Sequence, residues 1–94
     1  MLIQHKKLNE KGMFFAEIDG NIEAEMTYTM PSAEKMIIDH TEVSDKLRGK
    51  NIGYQLVHTA VEYARTHHIK IIPLCPFANS VFKKKTEYKD VLYV

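Results

Sequence analysis

The residues whose types and spacing suit chemistry cluster first at Arg48-Gly49-Lys50-Asn51-Ile52-Gly53. Two glycines and two cations in so short a run, just ahead of a helical pattern, form an anion receptor. Unpaired amides at a helix N-terminus point outward and carry about half a positive charge, and glycine lets an oxygen approach the backbone closely. Each charge-assisted hydrogen bond to a phosphate there would contribute roughly 1.5–3 kcal/mol. The spacing is neither that of a P-loop nor that of the Gly-x-Gly-x-x-Gly dinucleotide fingerprint. The plainer reading is an ordinary strand-to-helix turn. Two further side chains could carry reactions. Cys75 is a thiol nucleophile by type, although free cysteine more commonly packs as a small apolar residue. His40 is by residue type suited to a general base, or else to a local hydrogen bond. By strand alternation His40 and Asp39 should lie on opposite faces. His58, His67 and His68 lack the carboxylate or further histidine that would complete a metal site, so no metal is expected.

The elements that must position these residues are legible from periodicity. The N-terminal residues 1–8 are a weak strand candidate, followed by the turn Asn9-Glu10-Lys11-Gly12. A second strand spans Met13–Ile18 and turns at Asp19-Gly20, a hairpin signal. Ile22–Met30 alternates apolar and polar residues, which implies one packed and one wet face. After Pro31-Ser32-Ala33-Glu34 comes a fourth strand, Lys35–Val43. Short links between these runs predict an antiparallel meander. The period then changes: Ile52, Leu56, Val57, Ala60, Val61 and Ala64 predict a helix over Lys50–His67. Ile69–Cys75 reads as a strand parallel to the fourth, with Pro73 weakening its pairing on one side. Pro76 opens a short helix to Lys85, and Tyr88–Val94 reads as a last strand.

Size and charge bound the rest. The 94 residues suit one domain, 1–94, with a thin stability margin. Thirteen Lys and Arg against twelve Asp and Glu leave a net charge of +1, which gives no global pull toward nucleic acid. No apolar run could span a bilayer, and the start of the chain carries no secretory signal. A lone cysteine fits a reducing compartment, so the cytoplasm is expected. The fold class is α+β: a mostly antiparallel sheet with one parallel strand-helix-strand crossover.

The turn resembles the pyrophosphate-binding motif of the GNAT (GCN5-related N-acetyltransferase) superfamily, Arg/Gln-x-x-Gly-x-Gly/Ala. Arg48 takes the first place, Gly53 the last, and Val43 is the hydrophobic residue that precedes the motif at a strand end. Asn51 replaces the middle glycine, and asparagine tolerates a left-handed backbone better than other side-chain-bearing residues. The order of elements matches over most of the chain. Ile38-Asp39-His40-Thr41-Glu42-Val43, Cys75 and Pro76-Phe77-Ala78 look like the minimal stand-alone members of this length. Those lack the two helices that usually follow the first strand, which implies an open acceptor site or one completed by a partner chain.

The resemblance implies an acetyl-CoA-dependent N-acetyltransferase with an unidentified amine acceptor, small molecule or protein. Arg48, Gly49, Lys50, Asn51, Ile52 and Gly53 would hold the pyrophosphate of coenzyme A. Backbone groups of Thr41, Glu42 and Val43 would meet the pantetheine arm, and an N–H there could polarise the acetyl carbonyl. Asn79 is a candidate partner of that arm, Lys83-Lys84-Lys85 of the 3′-phosphate. Cys75 could receive the acetyl group, and His40 could deprotonate the incoming ammonium. Many members protonate the departing thiolate with a tyrosine where this chain has Phe82; Tyr88 lies beyond it. That departure and the missing helices favour the alternative, a non-catalytic acyl-CoA-binding or sensing module. The sheet face those helices leave bare could support a homodimer.

Overall fold

The computed structural model describes residues 2–94. Five strands form one sheet in the order of the sequence: β1 (Gln4–Leu8), β2 (Lys11–Ile18), β3 (Asn21–Ser32), β4 (Lys35–Val43) and β5 (Lys70–Pro73). The first four pair antiparallel through tight turns, as the short links predict. Asp19 and Gly20 both adopt positive φ, which a tight hairpin requires and which the Asp-Gly pair accepts readily. The N-terminal strand begins at Gln4, and Met1 lies outside the described residues.

β5 pairs parallel to β4 only from Lys35↔Lys70 to Ile38↔Pro73. Helix α1 (Ile52–His67) makes the crossover, and its buried residues are the six picked out by periodicity. Helix α2 (Pro76–Lys84) follows with Pro76 in its first turn. The expected last strand is replaced by a 3₁₀ segment, Thr86–Val91, after which only Leu92 bridges to Ile71. The reason is visible in its side chains. Tyr88 and Val91 turn into the core at helical spacing, which an extended run would have put on opposite faces. That single bridge leaves β5 poorly paired on its outer side, as Pro73 suggests.

One core cluster joins Phe14, Met26, Tyr28, Met36, Ile38 and Ile71 of the sheet to the apolar stripe of α1 and to Val81 and Phe82 of α2. Removing about 25 cal/mol per Å² of apolar surface from water is what holds these layers together. No helix is long and apolar enough to cross a membrane among the described residues.

Candidate functional site

The site begins with an irregularity in β4. Thr27 of β3 pairs with His40 and Tyr28 pairs with Ile38, so Asp39 is an extra residue, a β-bulge. The bulge reverses the alternation. Met36 and Ile38 face the helices before it; after it Thr41 and Val43, opposite the buried Met26 and Ala24, face the helices instead. Asp39 and His40 therefore share the far side of the sheet, and the expected separation onto opposite faces is corrected. The Thr27 hydroxyl donates to Asp39 Oδ1 at 2.5 Å on that side. His40 is exposed there, with Glu42 Oε1 3.9 Å from its Nε2.

Just past the bulge, β4 loses its parallel neighbour. The amides of Leu74 and Cys75 both donate to the Ile38 carbonyl at 3.0 Å, and the chain then turns into α2. Ser44 donates its N–H to Glu23 of β3 at 2.8 Å. Counting back by alternation, the N–H and C=O of Val43 and Thr41 point the other way, toward the side β5 has left. A gap thus opens with unpaired strand edge along one wall.

The glycine turn forms its head. A 3₁₀ turn, Asp45–Leu47, follows β4 and buries Leu47. Gly49 (φ 79°) and Asn51 (φ 57°) then take left-handed conformations, so asparagine adopts the geometry that a glycine would. The first α1 amide with a backbone partner outside the helix is Gln55, bonded to Asn51 O at 3.1 Å. Among the described residues, the amides from Gly49 to Tyr54 make no backbone hydrogen bond of good geometry, and no side chain caps the helix. No acidic residue stands in the first turn of α1 itself to oppose an anion at its N-terminus.

A cleft of about 520 Å³ joins these parts, lined by Thr41 and Val43, by Leu47 to Gly49, by Asn51 to Tyr54, and by Phe77. Arg48 lines it with an exposed side chain whose Nε lies 2.8 Å from Asp45 Oδ1. Lys50 is exposed and outside the lining. Cys75 is buried beside the cleft, its thiol donating to the Thr41 hydroxyl at 3.3 Å. Besides Lys50 and Cys75, three further candidates lie apart from the lining. His40 and Glu42 are on the far face, and Asn79 gives its amide to the Pro73 carbonyl at 3.4 Å, tying α2 to the end of β5. Phe82 is core, and the buried Tyr88 places its hydroxyl 3.0 Å from His58 Nδ1. Burial, then Glu87, raises the Tyr88 phenol above its ordinary value. Neither stands at the cleft.

A profile of the GCN5-related N-acetyl-transferase family matches residues 13–91. The chain belongs to that family. Within this GNAT group, a GCN5-like protein from Staphylococcus aureus, with a proposed N-acetyltransferase activity, is 36% identical with a TM-score of 0.73. The match covers 96% of this chain and 87% of that one. A ribosomal-protein-alanine N-acetyltransferase from Brucella melitensis shares the fold at 18% identity and TM-score 0.64, over 92% of this chain and 64% of the other. So does a GNAT acetyltransferase from Elizabethkingia anophelis with acetyl-CoA bound, at 17% identity and TM-score 0.59, over 82% and 53%. No curated protein sequence matches the chain. GNAT enzymes transfer an acetyl group from acetyl-CoA to an amine; the acceptor of this one is not identified.

Sequence reasoning missed Leu47, Tyr54 and Phe77 as cleft residues. Leu47 sits within the motif segment, but an apolar residue there reads as packing. Tyr54 and Phe77 each lie in the first turn of a helix, after Gly53 and Pro76, and only the packing of α1 against α2 brings them together.

Proposed function

We propose that this chain, as a single domain over residues 1–94, binds acetyl-CoA in the cleft at the head of α1 and transfers its acetyl group to an amine. The observation that carries the assignment is the run of unpaired amides from Gly49 to Tyr54, beside Arg48, lining the same cleft as Thr41 and Val43. The pyrophosphate accepts hydrogen bonds from those amides and from Arg48, with Lys50 adding charge nearby. The pantetheine arm runs along Thr41, Glu42 and Val43 as an extra strand would, and an N–H on that edge polarises the thioester carbonyl.

The amine must arrive neutral. His40, on the open face, can take the ammonium proton there, directly or through water. In direct transfer the amine attacks the thioester carbonyl, the C–S bond breaks, and the coenzyme A thiolate leaves to be protonated. The contact between Cys75 Sγ and Thr41 favours a second route. There the Cys75 sulfur attacks first, its proton passes to the departing thiolate, and the amine then takes the acetyl group from Cys75 and restores the thiol.

Calorimetric titration with coenzyme A, followed by a free-thiol assay with acetyl-CoA and a panel of amines, tests the reading. Binding with amine-dependent thiol release is expected. Binding without release under every amine would leave an acyl-CoA-binding or sensing module, and no binding would end the assignment. Cys75→Ala separates the routes: retained turnover supports direct transfer, whereas lost turnover with a one-acetyl mass gain on wild-type Cys75 supports the carrier. An acidic limb of the pH–rate profile that His40→Ala leaves unaltered would remove His40.

Two finer assignments go with this reading. The free thiol suits a reducing cytoplasmic compartment. The sheet face away from the helices carries Met13, Phe15 and Ile37, with Lys11 in the row of Ile37 and Glu25 and Glu42 in the row of Phe15, a charge order complementary to that of a second copy turned end for end. Sedimentation velocity across a concentration series checks that dimer.

A further inference from the structure

Gly53 closes the family motif, where alanine is also accepted, yet in this chain the reason for glycine is a contact inside the protein. Its φ is not positive, so the backbone itself would admit a side chain. A Cβ at that position, however, would lie 2.6 Å from Phe77 Cζ and 2.8 Å from its Cε2, far inside contact distance. The ring of Phe77 therefore rests on the bare backbone of α1. Tyr54, the next residue, meets the same ring edge-to-face at 5.7 Å between centroids, an arrangement aromatic pairs favour. The Lys85 ammonium lies 5.9 Å from the centroid of the Tyr54 ring. Pro76 fixes the first turn of α2 and thereby the direction from which the ring enters. Phe77 is only partly buried, and it lines the cleft together with Thr41 and Val43 of β4.

The geometry points to Phe77 as a specificity-determining wall of the donor site: seated on Gly53 and steadied by Tyr54, its ring sets the width of the channel between α2 and the free edge of β4, and holds the apolar arm of the acyl-CoA against that edge. This rests on the assignment of the cleft to acetyl-CoA. The ring is useful only while it is held in place, which couples Gly53 to the arm as well as to the phosphates. A small residue at position 77 leaves the arm loose; a methyl at position 53 displaces the ring.

Measuring dissociation constants for coenzyme A, acetyl-CoA and hexanoyl-CoA with Phe77→Ala, Phe77→Leu, Gly53→Ala and the Gly53→Ala/Phe77→Leu pair tests it. Leucine lacks the distal atoms that meet the added methyl, so the pair folds even where a single change perturbs packing. Expected are roughly tenfold weaker acetyl-CoA binding in Phe77→Ala and in Gly53→Ala, and recovery of most of the Gly53→Ala loss in the pair. Discrimination against hexanoyl-CoA should shrink in Phe77→Leu, a readout that a purely structural ring would not move. Wild type that binds coenzyme A while Phe77→Leu keeps the same chain-length preference, or a pair whose losses simply add, overturns the wall and leaves the donor site standing. Wild type that fails to bind coenzyme A overturns both.

Discussion

At the residue scale, the family motif points to particular positions and the structure shows what their side chains touch. Arg48 is engaged with Asp45, an exposed pair of the kind that contributes at most about 1 kcal/mol. In the proposed site a pyrophosphate must take the guanidinium from that carboxylate and also sit near its charge. Two changes therefore push in opposite directions. Arg48→Ala should weaken coenzyme A binding about tenfold, the loss of one exposed charge-assisted contact. Asp45→Ala should tighten it about two- to fivefold, and an isothermal titration that finds Asp45→Ala unchanged or weaker would contradict the site. Asn51 offers a test by conformation alone. It occupies the left-handed region, where a residue other than glycine or asparagine costs roughly 1–2 kcal/mol. Asn51→Gly should keep or slightly raise stability in urea denaturation, and Asn51→Ala should lower it by about 1 kcal/mol. Both residues were legible in the sequence because their types match their task. Asp45 was not, since its effect depends on a carboxylate meeting a side chain one turn ahead.

At the element scale, periodicity recovered the four-strand meander, the long helix and its buried stripe. Two features escaped it. A β-bulge leaves no mark on one strand's pattern until its partner's register is known, so Asp39 and His40 could be assigned faces only once Thr27 and Tyr28 were placed opposite them. The C-terminal run reads as a strand by composition, but Tyr88 and Val91 find a better-filled core as a 3₁₀ turn. Edge strand β1 makes a prediction that depends on pH. His5 stacks on Phe14 at 4.2 Å, meets Tyr63 at 4.6 Å, and its Nε2 lies 2.7 Å from the Tyr28 hydroxyl. Burial lowers the His5 pKa from 6.5, with Lys7 and then His67 adding to the effect; burial, then Tyr63, pushes the Tyr28 phenol up to about 12. Tyr28 thus stays a neutral phenol beside a neutral imidazole. Below pH 6.5 the unfolded chain binds the His5 proton and the folded chain resists it, so stability is full above 6.5 and falls with pH until the lowered folded value is reached. Urea midpoints across pH 7.5 to 5 should decline in wild type, and His5→Gln should flatten part of that decline. Parallel curves for the two proteins would exclude the His5–Tyr28 contact as its source.

At the scale of the whole molecule, α1 belongs at once to the core and to the proposed donor site. Its apolar stripe fills one side of the cluster, and its N-terminal amides line the cleft. Unfolding the core must therefore release a bound donor, and binding the donor must oppose unfolding. For a ligand that binds only the folded chain, stabilisation is RT ln(1 + [L]/Kd), about 2.7 kcal/mol when the free ligand exceeds Kd a hundredfold. A domain below about 100 residues has little unfolding entropy, so each kcal/mol moves its Tm by roughly 4–8 °C. Coenzyme A at that excess should raise the Tm by roughly 10 °C or more, a response that a larger GNAT enzyme of equal affinity would show only in part. ADP, which offers the diphosphate without the arm, should give a smaller shift at equal concentration. An ADP shift matching that of coenzyme A would mean that the arm adds nothing and that Thr41 and Val43 do not hold it. Equal shifts with an uncharged control would deny the cleft any role in recognition, because the amides between Gly49 and Tyr54 can only distinguish ligands by negative charge.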